Sequence, residues 1–227
     1  MSSDIVPLPD PPTLTAGAPV LTPGPVRQPR GDTSTFVSAV LGAPLQVGAI
    51  WPSSRRLARL AAAAVPSRHG VTVAELGPGT GVVSDAIHHR LDGLRARHLA
   101  VELNPTLVGH LQRSNRPWLD VIAGDAADLV SLLAARDVDQ VDAVVSALPW
   151  TLLPGDVQDQ ILRQIRQLLA VDGTLSVITT LTALPWPSAR AMRARLAAGF
   201  GQVTRSRLVW RNLPPALVYT CRRPLPT

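Results

Sequence analysis

Lysine is absent from the chain, and all 22 basic side chains are arginine. Such uniformity fits a GC-rich coding bias better than selection for guanidinium chemistry, so the arginines are not taken as a signature. A single cysteine, Cys221, excludes an internal disulfide framework and a cysteine-ligated metal cluster, and suits a reducing compartment. The five histidines (His69, His88, His89, His98 and His110) show no ligand grouping, so no metal is expected. No apolar run approaches the ~20 residues of a spanning helix. The N-terminus lacks a basic region followed by an apolar core, so no signal peptide is expected either. Glutamate is nearly absent: of 16 acids only Glu75 and Glu102 are Glu, each at the end of a predicted strand. What remains is an apolar content of 46% in 227 residues, enough for one sizeable domain, with or without an appendage. The net charge of +6 favours anionic partners without choosing between nucleic acid and a lipid surface.

Residues 1–32 hold eight prolines between Pro7 and Pro29, which leaves no room for helix or ladder and implies an extended tail. Residues 33–69 read as N-terminal helices, a lid or a membrane-interface element. The first carries Phe36, Val37, Val40 and Leu41 on one face. The second starts at Arg55 behind Ser53 or Ser54 as N-cap and keeps Arg55, Arg56 and Arg59 wet. From Gly70 to the end the pattern alternates: strands at 71–76, 97–103, 119–123, 141–148, 173–181, 202–211 and 216–222, with helices at 81–91, 105–114, 126–135, 156–170 and 188–198. Such alternation implies an α/β, Rossmann-like fold, a mostly parallel seven-stranded sheet covered on both faces. Only Leu213-Pro214-Pro215 separates the last two strands, so they should form a C-terminal antiparallel hairpin.

Ligands bind at the carboxyl ends of strands in such sheets. The first strand ends in Glu75-Leu76-Gly77-Pro78-Gly79-Thr80-Gly81, whose glycines let the backbone turn sharply and approach a ligand. Their G-x-G-x-G spacing departs from the dinucleotide fingerprint. It resembles the first motif of class I S-adenosylmethionine (SAM) methyltransferases, where the loop wraps the methionine end of the cofactor. Glu102, which with Leu103 ends the second strand, lies 21 residues past Gly81 and is placed to accept both ribose hydroxyls. Asp125-Ala126 ends the third strand, where the carboxylate can take the adenine amino group, cap the next helix, or do both. The fourth strand ends in Ser146-Ala147-Leu148-Pro149-Trp150, which the same resemblance implies lies beside the sulfonium.

Several narrower blocks follow the same order: Val47-Gly48-Ala49-Ile50-Trp51-Pro52-Ser53-Ser54, Val101-Glu102-Leu103-Asn104-Pro105, Val145-Ser146-Ala147-Leu148-Pro149 and Trp210-Arg211-Asn212-Leu213-Pro214-Pro215-Ala216. In these blocks the chain, from about Phe36 to Arg223, resembles the bacterial phospholipid N-methyltransferases of the phosphatidylethanolamine type, which are related to the rRNA adenine dimethylases. The resemblance implies that Ser53 and Ser54 help close over the cofactor. It also implies that Trp51, Ala147, Leu148, Pro149 and Trp150 line the acceptor pocket. Ala147 stands where that family usually has Gly, and Trp150 where it has a smaller residue.

In-line methyl transfer depends mainly on alignment, which can be worth roughly 7–11 kcal/mol of barrier. The amine acceptor must arrive neutral, and a nearby sulfonium favours that by like-charge repulsion. Tyr219 could orient the amine or headgroup as a catalytic residue, or simply pack on the sheet edge. Trp150 could offer a cation–π face or serve as a pocket wall. The expected acceptor is a phospholipid amine, met at an anionic membrane surface on the inner, cytoplasmic face. The alternatives are a soluble small-molecule amine or hydroxyl, SAM binding without turnover, and a nucleic-acid adenine. The last is disfavoured because Ala147-Leu148-Pro149-Trp150 lacks the amide that grips a flipped base.

Overall fold

The computed structural model describes residues 53–226. The proline tail, the helix expected around Phe36 and the substrate contact expected of Trp51 lie outside the described residues.

Helix α1 (Arg55–Ala62) starts where the Ser54 hydroxyl accepts from the Leu57 N–H. Then follow β1 (Val71–Leu76), α2 (Val82–Arg90), β2 (Ala96–Glu102), α3 (Pro105–Arg113) and β3 (Leu119–Ala123). A 3₁₀ turn (Ala126–Asp128) leads to α4 (Leu129–Ala134) and β4 (Val141–Ser146). Beyond a second 3₁₀ turn (Trp150–Leu152) come α5 (Gly155–Leu168), β5 (Leu169–Thr180), α6 (Pro187–Gly199), β6 (Phe200–Arg205) and β7 (Ala216–Pro224). The seven strands form one sheet in the order β3-β2-β1-β4-β5-β7-β6. β1 to β5 are parallel, and β7 is antiparallel to both β5 and β6.

Alternation along the strands fills two cores. Ala74, Leu76, Val144, Leu175 and Val177 face α4, α5 and α6. Val71, Val73, Ala143 and Val145 face α1 and α2. α1 is therefore part of the main core: Leu57, Ala58, Ala61 and Ala62 are buried in the second cluster, while Arg55, Arg56 and Arg59 stay exposed as expected. Burial of Leu57 alone is worth roughly 1.5–3 kcal/mol. No described helix is long and apolar enough to cross a membrane.

β5 starts at Leu169 instead of 173, and three other shifts bear on the cleft. β4 stops at Ser146 instead of 148, because after the Ala147 N–H bonds to Leu76 O the chain turns and Pro149 has no N–H to offer. The expected helix at 126–135 is split, since Asp125 caps a 3₁₀ turn before α4 begins. β6 ends at Arg205 instead of 211. The β6–β7 connection is thus residues 206–215, held to β7 by hydrogen bonds between Ser206 and Val218 and by a bridge between Val209 and Ala216, and closed by two prolines that cannot donate. The antiparallel pairing itself is as expected.

Candidate cofactor and acceptor cleft

A cleft of about 460 Å³ opens over the carboxyl ends of β1, β2, β4 and β5, within the usual range for a small-molecule site. Its floor is the glycine loop. Gly77 and Gly79 take φ of +70° and +58°. A Cβ on Gly77 would sit 3.0 Å from Leu148 Cδ2 and on a backbone of positive φ, so any other residue there would be strained and would push the Leu148 side chain aside. A Cβ on Gly79 would meet no atom of the described residues within 4 Å, which leaves room for a ligand to approach the backbone there.

Glu102 is buried at the end of β2 and lines the cleft. Its Oε2 accepts from the Gly79 N–H (3.1 Å) and its Oε1 from the Asn104 N–H (2.9 Å). These two amides fix the plane of the carboxylate and leave lone pairs for a diol. Burial pushes its pKa above the ordinary carboxylate value, and the backbone donors at Asn104 and Gly79 only partly offset this. Asp125 both lines the cleft and accepts from the Ala127 N–H at 2.9 Å, so the capping and the ligand-facing position coexist. Burial raises its pKa too. A buried acid able to accept two hydroxyls, a second acid one strand further and a loop with open backbone fit S-adenosylmethionine.

Of the other expected contacts, Ser53, Gly77, Pro78, Thr80, Leu103 and Ala126 line the cleft, as do Ala147, Leu148, Pro149 and Trp150. Trp150 is a wall: it is 1% exposed, and its indole N–H donates to Ser146 Oγ at 2.9 Å. Gln158 straps the turn that carries it, with its side-chain amide donating to Trp150 O (2.8 Å) and Leu153 O (2.9 Å).

Five expected site residues are placed elsewhere. Glu75 is fully buried outside the cleft, where its Oε2 accepts from His98 Nε2 at 3.0 Å. Ser146 is buried as the partner of the Trp150 indole. Ser54 caps α1. Gly81 begins α2 with φ +88° beneath the Arg116 guanidinium. Tyr219 does not reach the cleft. It pairs with Val177, three residues inside the end of β5, roughly 10 Å down at 3.3 Å per residue. There it is buried in the same cluster as Met192 and Leu196 of α6. Antiparallel register sets that depth, and chain position alone does not reveal it.

The sequence reading missed the β5 side of the cleft: Thr179, Thr180, Ala183 and Trp186 line it, and so do Asn212 and Leu213. The strand-end rule applied to β5 would have found Thr179 and Thr180. Thr179 Oγ1 is buried with no hydrogen-bond partner among the described residues. Asn212 Oδ1 accepts from the Ser54 N–H at 2.7 Å, and its amide donates to Pro214 O at 2.7 Å.

The sheet order, the glycine loop and the acids after β2 and β3 define a class I S-adenosylmethionine-dependent methyltransferase. A family profile described as "Methyltransferase domain" matches residues 73–173. Among curated proteins, the chain is 35% identical over 180 residues to the ornithine lipid N-methyltransferase of Singulisphaera acidiphila, covering 78% of this chain and 88% of that protein. It is 36% identical over 89 residues to ribosomal RNA small subunit methyltransferase A of Burkholderia ambifaria, covering 38% of this chain and 32% of that one. Solved structures of like fold include TrmN from Thermus thermophilus (TM-score 0.58, 18% identity, 82% of this chain and 53% of that one). A TehB-like SAM-dependent methyltransferase from Corynebacterium glutamicum is another (TM-score 0.51, 20% identity, 73% of this chain and 86% of that one). With identity of this extent over most of both chains, the protein belongs to the methyltransferase family of the Singulisphaera lipid enzyme.

Proposed function

We propose that the chain N-methylates the free amine of a lipid headgroup, of phosphatidylethanolamine or of an amino-acid-derived lipid. The observation that carries the proposal is the chemistry of the cleft wall. Among the described residues its only ionisable side chains are Glu102 and Asp125, both at the cofactor end. The acceptor end is formed by Leu148, Pro149, Trp150, Ile178, Ala183 and Trp186, with threonine hydroxyls between them. A soluble cationic amine would leave water for a place with no carboxylate to pair it. A lipid amine is driven there by its own apolar chains, and in that setting burial without an anion favours the neutral form that has a lone pair.

S-adenosylmethionine, when bound, supplies an electrophilic methyl group on a sulfonium. Glu102 would hold the ribose hydroxyls of the cofactor and the backbone of the glycine loop its methionine end. The Trp150–Ser146–Gln158 assembly keeps the acceptor wall rigid, which is the alignment such a displacement needs. Thr179 Oγ1, with no partner among the described residues, is the group we assign to orient the amine. The named activity of the Singulisphaera relative supports the lipid amine. Burial of Trp150 weighs against a nucleic-acid base, since the ring has no free face on which a flipped base could stack.

The test is an acceptor panel read by mass spectrometry for methyl addition: aminolipids in mixed micelles beside the free headgroup amines. Methylated lipid with little methylated free amine is the expected result. Turnover confined to the water-soluble amines would reject the proposal.

A further inference from the structure

The net charge of the chain is unevenly placed. Residues 1–172 carry 14 arginines against all 16 acids, whereas residues 173–227 carry eight arginines and no acid at all. Of those eight, only Arg195 forms an ion pair among the described residues, with Asp159.

This acid-free segment also holds most of the apolar surface left open. Among the described residues five large apolar side chains are exposed, and three of them gather at one place: Trp186 (49%), Trp210 (72%) and Leu213 (65%). Trp186 and Leu213 line the mouth of the cleft. Trp210 and Arg211 form the tip of a turn closed by the Asn212 N–H to Val209 O (3.3 Å), and Asn212 lines the cleft from the other side of that turn. Arg190 follows Trp186 by one turn of α6. It shares a shallow groove with Arg193 and with Arg205 at the end of β6, from which the chain runs through Arg207 to the tip. The rim of the opening thus carries aromatic and aliphatic tips, and the elements that flank it carry guanidinium groups that form no ion pair among the described residues.

We propose that this rim is the surface on which the protein docks to an anionic lipid bilayer, with Trp186, Trp210 and Leu213 in the headgroup–acyl boundary and the arginines over the phosphates. The placement rests on charge complementarity and on continuity with the cleft. Indole rings favour the boundary between water and hydrocarbon, and each arginine near an anionic leaflet adds about five-fold in affinity. The orientation aims the cleft at the bilayer, so that a headgroup enters without its acyl chains crossing water. That consequence rests on the lipid-amine reading above, while the docking surface does not.

The test is sedimentation of the full chain with vesicles containing no amine lipid: phosphatidylcholine alone, or phosphatidylcholine and phosphatidylglycerol in equal parts. The chain should bind the mixed vesicles far more tightly, and added salt should release it. Arg207→Gln with Arg211→Gln should weaken binding about 30-fold, and Trp210→Ser should weaken it as well. SAM affinity, measured on the same preparations, should stay unchanged because none of these three residues lines the cleft. Wild-type binding by the variants would overturn the proposal, and so would equal binding to neutral vesicles. Displacement of the vesicles by an RNA oligomer, or a dimer that Trp210→Ser disperses, would also overturn it. Vesicle binding without turnover on aminolipid micelles would sink only the acceptor reading. Turnover on micelles without vesicle binding would sink only the docking surface.

Discussion

The Ser54 backbone N–H donates to Asn212 Oδ1 at 2.7 Å across 158 residues of chain. This contact joins the start of α1 to the β6–β7 connection at the edge of the cleft, and it unites two sequence blocks that read as separate motifs. Asn212 is buried and spends its other polar end on Pro214 O. Asn212→Ala should therefore leave a half-buried N–H and a half-buried carbonyl unpaired, at about 1 kcal/mol each. Denaturant unfolding should show a lowered midpoint, and the KM for acceptor should rise because Leu213 and Pro214 lose their anchor.

Burial raises the pKa of Glu102 above its ordinary value of 4.5. The folded chain thus holds that proton more tightly than the unfolded one. The contribution of Glu102 to stability is fully present below the unfolded pKa and is lost as pH rises through the folded pKa. Cofactor binding runs the other way, because the ionised carboxylate is the better acceptor for ribose hydroxyls and the partner of a cationic ligand. SAM affinity should fall on acidification, starting above pH 4.5, and Glu102→Gln should be weaker and nearly flat over the same range. Calorimetry at a series of pH values checks this, with Asp125→Asn as the control for the second raised acid.

Thr179 separates stability from turnover. Its hydroxyl has no partner among the described residues, so Thr179→Val removes an unsatisfied buried group and should leave stability unchanged or higher by about 1 kcal/mol. If the hydroxyl orients the amine, the same variant should lower kcat on aminolipid by about ten-fold, one hydrogen bond's worth, while Thr179→Ser retains activity. Equal kcat for wild type and Thr179→Val would remove Thr179 from the mechanism.

The Glu75–His98 pair is a structural element under the glycine loop. Removing His98 would leave a fully buried carboxyl oxygen without its partner, and His98→Leu should cost about 1–3 kcal/mol in unfolding experiments. Glu75→Gln keeps a hydrogen-bonding group in place and should bind SAM within a few-fold of wild type. A loss comparable to that of Glu102→Ala would return Glu75 to the cofactor site.

The cofactor half of the cleft was legible because its signals are local. Gly77, Gly79 and Glu102 act through backbone turns and strand ends that a few adjacent residues determine. Glu75 and Ser146 sit on the same strand ends yet spend their polar atoms inside the protein, Glu75 on His98 and Ser146 on the Trp150 indole, partners that lie 23 and 4 residues away and that no strand-end rule reveals. Tyr219 misled because the hairpin's register, and with it the tyrosine's depth, is fixed by pairing with β5. The β5 side of the cleft escaped notice since Thr179 and Thr180 belong to no glycine or acid motif. Asn212 was quoted in a motif without a role, which the contact with Ser54 supplies.

The central claim is a sulfonium cofactor lying over the ends of β1 to β3 and gripped by Glu102. Titration calorimetry of the purified chain with S-adenosylmethionine tests it most directly. One molecule bound per chain, weakened by about twenty-fold or more in Glu102→Ala through loss of a charge-assisted hydrogen-bonding group, is the predicted result. Absence of binding heat at any cofactor concentration, or an affinity that Glu102→Ala leaves unaltered, would contradict it.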